Sequence, residues 1–548
     1  MRKVLLMTVA GLLLTVPAYA SSFMVPNAGS LNEELKQERH FNPKAGDKAI
    51  DAKAPVPAGQ TAGNKIQVNG LNIVGNEAFS KNVLLDAGGW KGAGQMSFAQ
   101  LQEICNNISK YYQSKGYLTA YAYMPVQEVT NGIVTVRVMD GHYGEVTLNN
   151  KSHVTNEVLR SISRKVSSGR KIEKVPLDRA LVLMNDLPGT KVYATMEPSK
   201  TSGAADMTLD AIETERNGAT MWVDNFGNKN TGKYRVGVNF HENNLGNIGD
   251  VLSASYVQGN GGIKNWDFRY EAPFTRTGTV AGVSYSKLTY SLMKEFGWMD
   301  AYGDARTWQL YLKNPLKRTM YNNLYFNIYY EDRKLRDVID YFGTDTEKES
   351  RVFRFALDGD TRNAKSSDRY VVTHSIGKLY LQNDDAVLFD KYGTEGQFQK
   401  TEAELYHIQQ LTPKWQLHVD LRGQYAYNDL DSSEKMYIGG YSGVRAFPQG
   451  ESGGDSSFLG TAEFRYQMDQ NWALATYYDY GYTKYNKNPI GNSAESRVLG
   501  GIGLGVIWRN SDKDYARMDY AVPTTDRYSY SEGNKTNGQW WFQWVHRF

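Results

Sequence analysis

The chain has 548 residues, a net charge of +3 and a single cysteine. A balance so near neutral excludes the strongly basic footprint of a nucleic-acid binder, so no nucleic acid is expected as a partner. One cysteine, Cys105, excludes an intrachain disulfide and any zinc site built from cysteines.

Residues 1–20 read as a secretory signal. Arg2 and Lys3 give the positive region, Val4 to Val16 a short apolar core, and Ala18-Tyr19-Ala20 a cleavage site, so the mature chain is expected to start at Ser21. The core is too short for a membrane-spanning helix, and no later apolar run is long enough for one. In the segment 21–40, Ser30-Leu31-Asn32-Glu33 has the form of a capping box opening a short helix to about His40. Leu31 and Leu35 are its only apolar residues, which suits a wet surface or a water-filled lumen better than a core. Residues 41–65, rich in Ala, Gly, Lys and Pro, have the composition of a flexible linker.

From Ile66 the pattern changes to strand, helices, strand, strand. Ser97 is placed to cap a helix whose apolar residues, Phe98, Leu101, Ile104, Cys105, Ile108, Tyr111 and Tyr112, fall at three-and-four spacing, with Gly116 at its end. Strands are expected at Leu118–Met124 and Gly132–Val138. The order then repeats: a strand at Gly144–Leu148, a helix after Thr155, a second helix started by Pro176 and stopped at Pro188-Gly189, and closing strands at Lys191–Met196 and Asp206–Ile212. Residues 66–141 and 142–213 are therefore read as two small α+β modules.

Beyond Glu213 helical periodicity disappears and short alternating strands run to the end. Tyr234, Val236, Val238 and Phe240 share one face, and Trp540, Phe542, Trp544 and Phe548 share another. Apolar faces crowded with aromatics fit the interfacial girdles of a transmembrane β-barrel of about sixteen antiparallel strands over 214–548, set in membrane lipid and wide enough to hold an aqueous channel. Asp340 to Glu349 and Asp384 to Glu395 read as its long polar connections.

Alternation also sorts the charges. Tyr478, Tyr480 and Tyr482 belong outward, so Tyr477, Asp479 and Gly481 face the lumen, where an acid is not costly. Glu463 and Arg465 fall inside by the same rule, with Ala462, Phe464 and Tyr466 outside. Between two strand segments lies Gly439 to Glu451, a Gly-rich loop carrying one cation, Arg445. Residue types alone leave two readings open: Arg445 is a solvated loop residue, or the loop folds inward and Arg445 pairs with Asp479 in a charge-assisted bond. No catalysis, cofactor or metal is expected. Gly440 to Val444 lacks the final Gly of a nucleophile elbow, and the 8 His are scattered.

The loop, read as Val444-Arg445-Ala446-Phe447 after Ile438-Gly439-Gly440 and before Gly454-Asp455, resembles the motif of the two-partner secretion outer-membrane transporters, the hemolysin and filamentous-hemagglutinin exporters. Tyr477-x-Asp479-x-Gly481 resembles their strand motif, and Gly116-Tyr117, Ala120 and Pro125-x-Gln127 resemble their first POTRA domain. Phe548 matches the terminal aromatic that outer-membrane assembly machinery reads. The resemblance implies two periplasmic POTRA domains that capture an unfolded exoprotein, a barrel that secretes it, and a helix at Leu31 and Leu35 that plugs the lumen. It also implies periplasmic chaperones and the assembly machinery as partners. A Gly of the family motif is Ala446 here, and a positive φ at that position would strain the loop. An assembly factor of the same superfamily and a porin-like channel are the alternatives.

Overall fold

The computed structural model describes residues 25–37, 65–201, 203–490 and 495–548. The expected leader, and the expected linker apart from Lys65, lie outside the described residues.

The N-terminal helix runs Ala28–Gln37. Its cap is one turn earlier than expected. Asn27 Oδ1 accepts the Ser30 N–H at 2.9 Å, and Ser30 Oγ accepts the Asn27 N–H at 3.0 Å. Asn caps as well as Ser does, so Ser30 becomes the returning partner of the box rather than its start. Glu33, freed from capping, pairs with cations instead.

The first module has a three-stranded sheet in the order Gly70–Val74, Ile133–Met139, Tyr121–Tyr123, with helices Lys81–Gly88 and Phe98–Ser114 against it. Ser97 and Gln100 close a reciprocal capping box at 3.3 and 2.9 Å. Cys105 sits in this module's core, where burial pushes its thiol up to about 12 and makes it inert. The second module repeats the plan, with sheet order His142–Lys151, Ala204–Glu213, Thr190–Pro198 and helices Asn156–Ile162 and Lys174–Asn185. Pro176 is not the first residue of its helix but lies in the first turn, where a missing N–H still costs no helical bond. The strand expected at Leu118–Met124 is only Tyr121–Tyr123, and that at Gly144–Leu148 extends to His142–Lys151.

Lys171 of the second module bonds Asp140 at 2.9 Å and Glu77 at 2.8 Å in the first. The second module also docks on the barrel. Arg318 holds Asp186 through two bonds of 2.7 and 2.5 Å, and Arg179 donates to the carbonyls of Thr277 and Pro315 at 3.1 and 3.2 Å. These contacts mark the short turns of the barrel as the end that carries the modules.

Sixteen antiparallel strands, from Asn217–Asp224 to Gln539–Arg547, close into the barrel. The expected count therefore holds. Tyr478, Tyr480 and Tyr482 are exposed on the outside, while Tyr477 and Asp479 are buried within. One expectation fails. Asp340 to Glu349 is not a long connection: residues 340–343 make a tight turn between strands Asn322–Ile339 and Thr344–Arg362. Strands of 18 and 19 residues exceed the roughly 10 that cross a bilayer, so their far ends stand in water. There their charges pair across the ladder, as Arg336 does with Asp345 at 2.6 Å. Asp384 to Glu395 does lie in a longer connection, which contains the short helix Asp384–Phe389.

Candidate functional site

The connection between strands Trp415–Ala426 and Ser456–Gln467 leaves the barrel at the end away from the modules and turns back inside. Met436–Tyr437 pairs with Gly453–Gly454 at its neck, and the Val444 N–H donates to the Ile438 carbonyl at 2.7 Å to close its tip. The loop is anchored first by apolar packing. Ile438, Val444, Ala446 and Phe447 are fully buried against Leu459, Tyr477 and Leu499 of the wall. Gly481 allows this approach, since a Cβ there would meet Val444 and Ile438 at 3.0 and 3.1 Å. Ala446 does not take a positive φ, so the strain expected there is absent. Its methyl is instead accommodated by Gly501, where a Cβ would come within 2.6 Å of it.

Arg445 is held on all sides. Its Nε and Nη2 donate to the two oxygens of Asp479 at 2.9 and 2.8 Å, its backbone N–H adds a third bond to that carboxylate, and Thr461 a fourth. Nη1 donates to Glu463 at 2.9 Å. The guanidinium lies 3.2 Å from the centroid of Tyr477. Glu463 is shared with Arg465 at 2.5 Å and with Arg517 at 2.8 and 3.2 Å, and Arg517 in turn grips Asp519. The Arg445 carbonyl accepts from the Trp541 indole at 2.7 Å, beside a stack of Phe226 on Tyr441. The loop's far end is tied by Glu451, which pairs with Arg497 and accepts from Ser529 at 2.7 Å and from the Tyr530 and Ser531 N–H groups.

The N-terminal helix lies in the same lumen. Ala28 to Glu34 are all buried, including the polar Ser30, Asn32, Glu33 and Glu34. Leu31 enters an apolar cluster of the wall and rim, and Leu35 packs at its edge. The helix N-terminus presents the Ala28 N–H to Asp337 at 2.7 Å, a favourable place for a carboxylate. At the other end Lys36 donates to Glu331 at 3.0 Å, and its ammonium stands 3.2 Å from the Glu33 carboxylate as an ion pair. Around Glu33 lies a set of buried charges: Arg333 at 3.5 Å, which also meets Glu331 and Glu434, and Lys400 and Arg354 at 3.2 and 3.6 Å from Glu434. Burial raises the Glu33 pKa, but Lys36, Arg333, Lys400 and Arg354 outweigh it and hold the carboxyl below its usual range. Asp431 at the neck of the inward loop is pushed down to about 2, because Lys348 at 2.6 Å outweighs its burial. Ser432 Oγ of that loop donates to Asn27 Oδ1 at 3.0 Å, so helix and loop touch directly.

The structure thus brings Arg445, Asp479, Glu463 and Arg465 into one network, seats Val444, Ala446 and Phe447 on the wall beside Gly481, and puts Leu31 and Leu35 in a separate pocket. Phe548, 70% exposed, is at the barrel seam, its N–H bonded to the Ala219 carbonyl at 3.0 Å. Sequence reasoning missed Tyr477, Arg517 and Asp519 as members of the Arg445 network, and Arg333, Glu331 and Glu434 as the seat of the helix. The signal for the last strand pairs was present: Arg517 with Asp519 and Glu331 with Arg333 are charges two apart on one inward face. Among the described residues no cluster of His, Cys, Asp or Glu is placed to hold a metal ion.

A family model described as haemolysin secretion/activation protein ShlB/FhaC/HecB matches residues 203–507, and a model of the ShlB-type POTRA domain matches residues 66–141. The chain belongs to this family. Among its relatives, the heme/hemopexin transporter protein HuxB of Haemophilus influenzae strain 86-028NP is 26% identical over 542 residues, 95% of each chain. The outer membrane transporter CdiB of Dickeya dadantii strain 3937 is 22% identical over 432 residues, 75% of each. The solved structure of CdiB from Escherichia coli superposes with a TM-score of 0.74 at 15% identity, over 96% of this chain and 99% of that one. As a ShlB/FhaC/HecB member the chain is an outer-membrane transporter of two-partner secretion, with its barrel in the outer membrane, its POTRA region in the periplasm, and an exoprotein as cargo.

Proposed function

We propose that the POTRA modules capture one unfolded exoprotein, that the Ala28–Gln37 helix closes the lumen until the exoprotein arrives, and that the Arg445 loop keeps the barrel's interior in shape around the moving chain. The observation that carries this reading is the helix itself. A segment with only two leucines is buried in the lumen through side chains that fit the wall one by one. Capture is supported by the sheet of the second module, where Thr190–Pro198 is an edge strand able to accept an extended peptide through its backbone. Such pairing tolerates many sequences, as an unfolded cargo requires. The composition of 41–65 gives the helix reach to leave without detaching from the chain. Periplasmic chaperones bring the chain to the membrane, and Phe548, exposed beside the seam, is the mark the assembly machinery reads.

The test is proteomics of a deletion strain, with culture medium and outer membrane measured separately. Loss of one large exoprotein from the medium with an unchanged outer membrane is expected. Loss of many barrel proteins from the outer membrane would move the chain to an assembly role, and no change in either fraction would leave it a channel.

A further inference from the structure

The pocket that seats Leu31 is an apolar island in a charged lumen. Ile263, Leu288, Leu292, Phe296, Met299 and Leu335 line it, all buried. Leu335 is telling, because it stands on the inward face of its strand between Arg333 and Asp337, two charges that also contact the helix or its network. A lumen built only to pass water and ions has no use for such a pocket. Nor is the pocket deep in the barrel: Phe296 and Met299 come from the short turn Lys294–Met299 at the rim away from the modules. The apolar surface continues outward from there. Phe342 packs on the cluster and meets Trp298 at 6.0 Å, and Trp298 meets Tyr341 at 5.0 Å, both of the latter exposed on the outer surface.

We infer that this pocket is a binding site for aliphatic side chains of the exoprotein in transit, and that Leu31 occupies it at rest as an internal substitute for cargo. The inference rests on the plug reading above and adds to it the place where cargo is held. The present occupant argues for the future one: Ala28 and Leu31 show that the pocket accepts an aliphatic side chain carried on a backbone running along the lumen. Once the helix leaves, the exposed cluster is covered again only by what fills the lumen, which is the cargo. Burying each cargo leucine in turn favours release of the helix and gives a moving chain a holding point beside the exit, where Trp298 and Tyr341 receive it.

The experiment uses the full chain lacking residues 28–37, in planar bilayers. The probe is an unstructured Gly-Ser-Thr peptide long enough to thread the lumen and carrying scattered Leu, compared with a twin in which Ser replaces each Leu. Blockades about tenfold longer for the leucine peptide are expected, the effect of partly burying one leucine side chain. Leu288→Asn and Leu335→Asn in the same background should bring the two peptides together. Equal dwell times for the two peptides would overturn the site. If removing 28–37 leaves conductance unchanged, the plug reading fails by itself, and the pocket is decided by photocrosslinking with p-benzoylphenylalanine in place of Phe296. A biotinylated leucine peptide labelled well above its serine twin supports the site, and equal or absent labelling overturns it.

Discussion

The lumen holds two buried ionic networks, and they are built differently. Around Arg445 the donors and acceptors match. The guanidinium meets Asp479 through two parallel bonds and Glu463 through a third, with Tyr477 beneath it. Around the N-terminal helix the match is partial: Glu331 accepts from Lys36, Arg333 and Arg354, but its neighbours fare worse. Glu33 Oε1, both Glu434 carboxylate oxygens, Arg333 Nε and Asn32 Nδ2 have no hydrogen-bond partner within the described residues, although cations stand 3.2 to 3.6 Å from the carboxylates. At those atoms Coulomb attraction persists, but the directional part of the bond is missing. The first network also has an apolar floor from its own loop, whereas the helix contributes little more than Ala28 and Leu31 to its floor. That contrast is what the proposed roles require, a loop that stays and a helix that leaves.

The largest effect that breaks this comparison is expected from Arg445→Ala. Removing one partner of a buried pair costs about 3–5 kcal/mol, because Asp479 and Glu463 are left buried beside too little positive charge. Export should collapse while the barrel still inserts, and heat should unfold it sooner in gel-shift assays. Arg445→Lys should restore only part, since an ammonium cannot bond both Asp479 oxygens in parallel. Leu31→Ala comes next. It removes a buried leucine, worth about 2–5 kcal/mol in a packed site, from an element with few other apolar contacts. Bilayer conductance should rise with the barrel's own thermal stability unchanged, and an unaltered conductance would show that the helix is as firmly fixed as the loop.

Acid should separate the two networks more gently. Glu33 sits below its usual range, so its contribution to seating is complete above the ordinary carboxylate value and is lost as pH falls through the seated one. Channel openings should therefore increase as pH falls below the ordinary carboxylate range, and Glu33→Gln should weaken that pH dependence, leaving the part carried by Asp337 and Asp431. Ala446→Gly should do least. With no positive φ to relieve, export should remain normal and stability should change by about 1 kcal/mol or less.

The barrel and the inward face of its charges were legible because period-two alternation is a local property. Tyr478, Tyr480 and Tyr482 outside fix Asp479 inside whatever the neighbours are. What alternation does not carry is which strand lies across the lumen. Arg517 joins Glu463 from 54 residues away, and Arg333 meets the backbone of Ser433 from 100 away. Those meetings depend on closure of the barrel and the path of the loop. The strands around residues 340–349 were misread for a related reason: dense charge reads as a connection, unless the strand is known to continue past the membrane. The helix cap shifted because Asn27 and Ser30 satisfy the same box that Ser30 and Glu33 can form, and burial of Glu33 among cations decides between them.

Whether the loop is fixed and the helix releasable is measured by tethering each in turn and reading export. Asn27, at the cap of the helix, accepts from Ser432 at 3.0 Å, and Lys435, at the neck of the loop, donates to Asn486 in the connection after strand Trp472–Lys484 at 2.8 Å. Asn27→Cys with Ser432→Cys, bridged by a reducible bis-methanethiosulfonate, ties the helix to the loop, and Lys435→Cys with Asn486→Cys, bridged in the same way, ties the loop to the rim. With the bridge in place the first pair should stop export until a reductant is added, while the second should leave export running. Export that continues past a tethered helix, or stops at a tethered loop, would contradict the division between them.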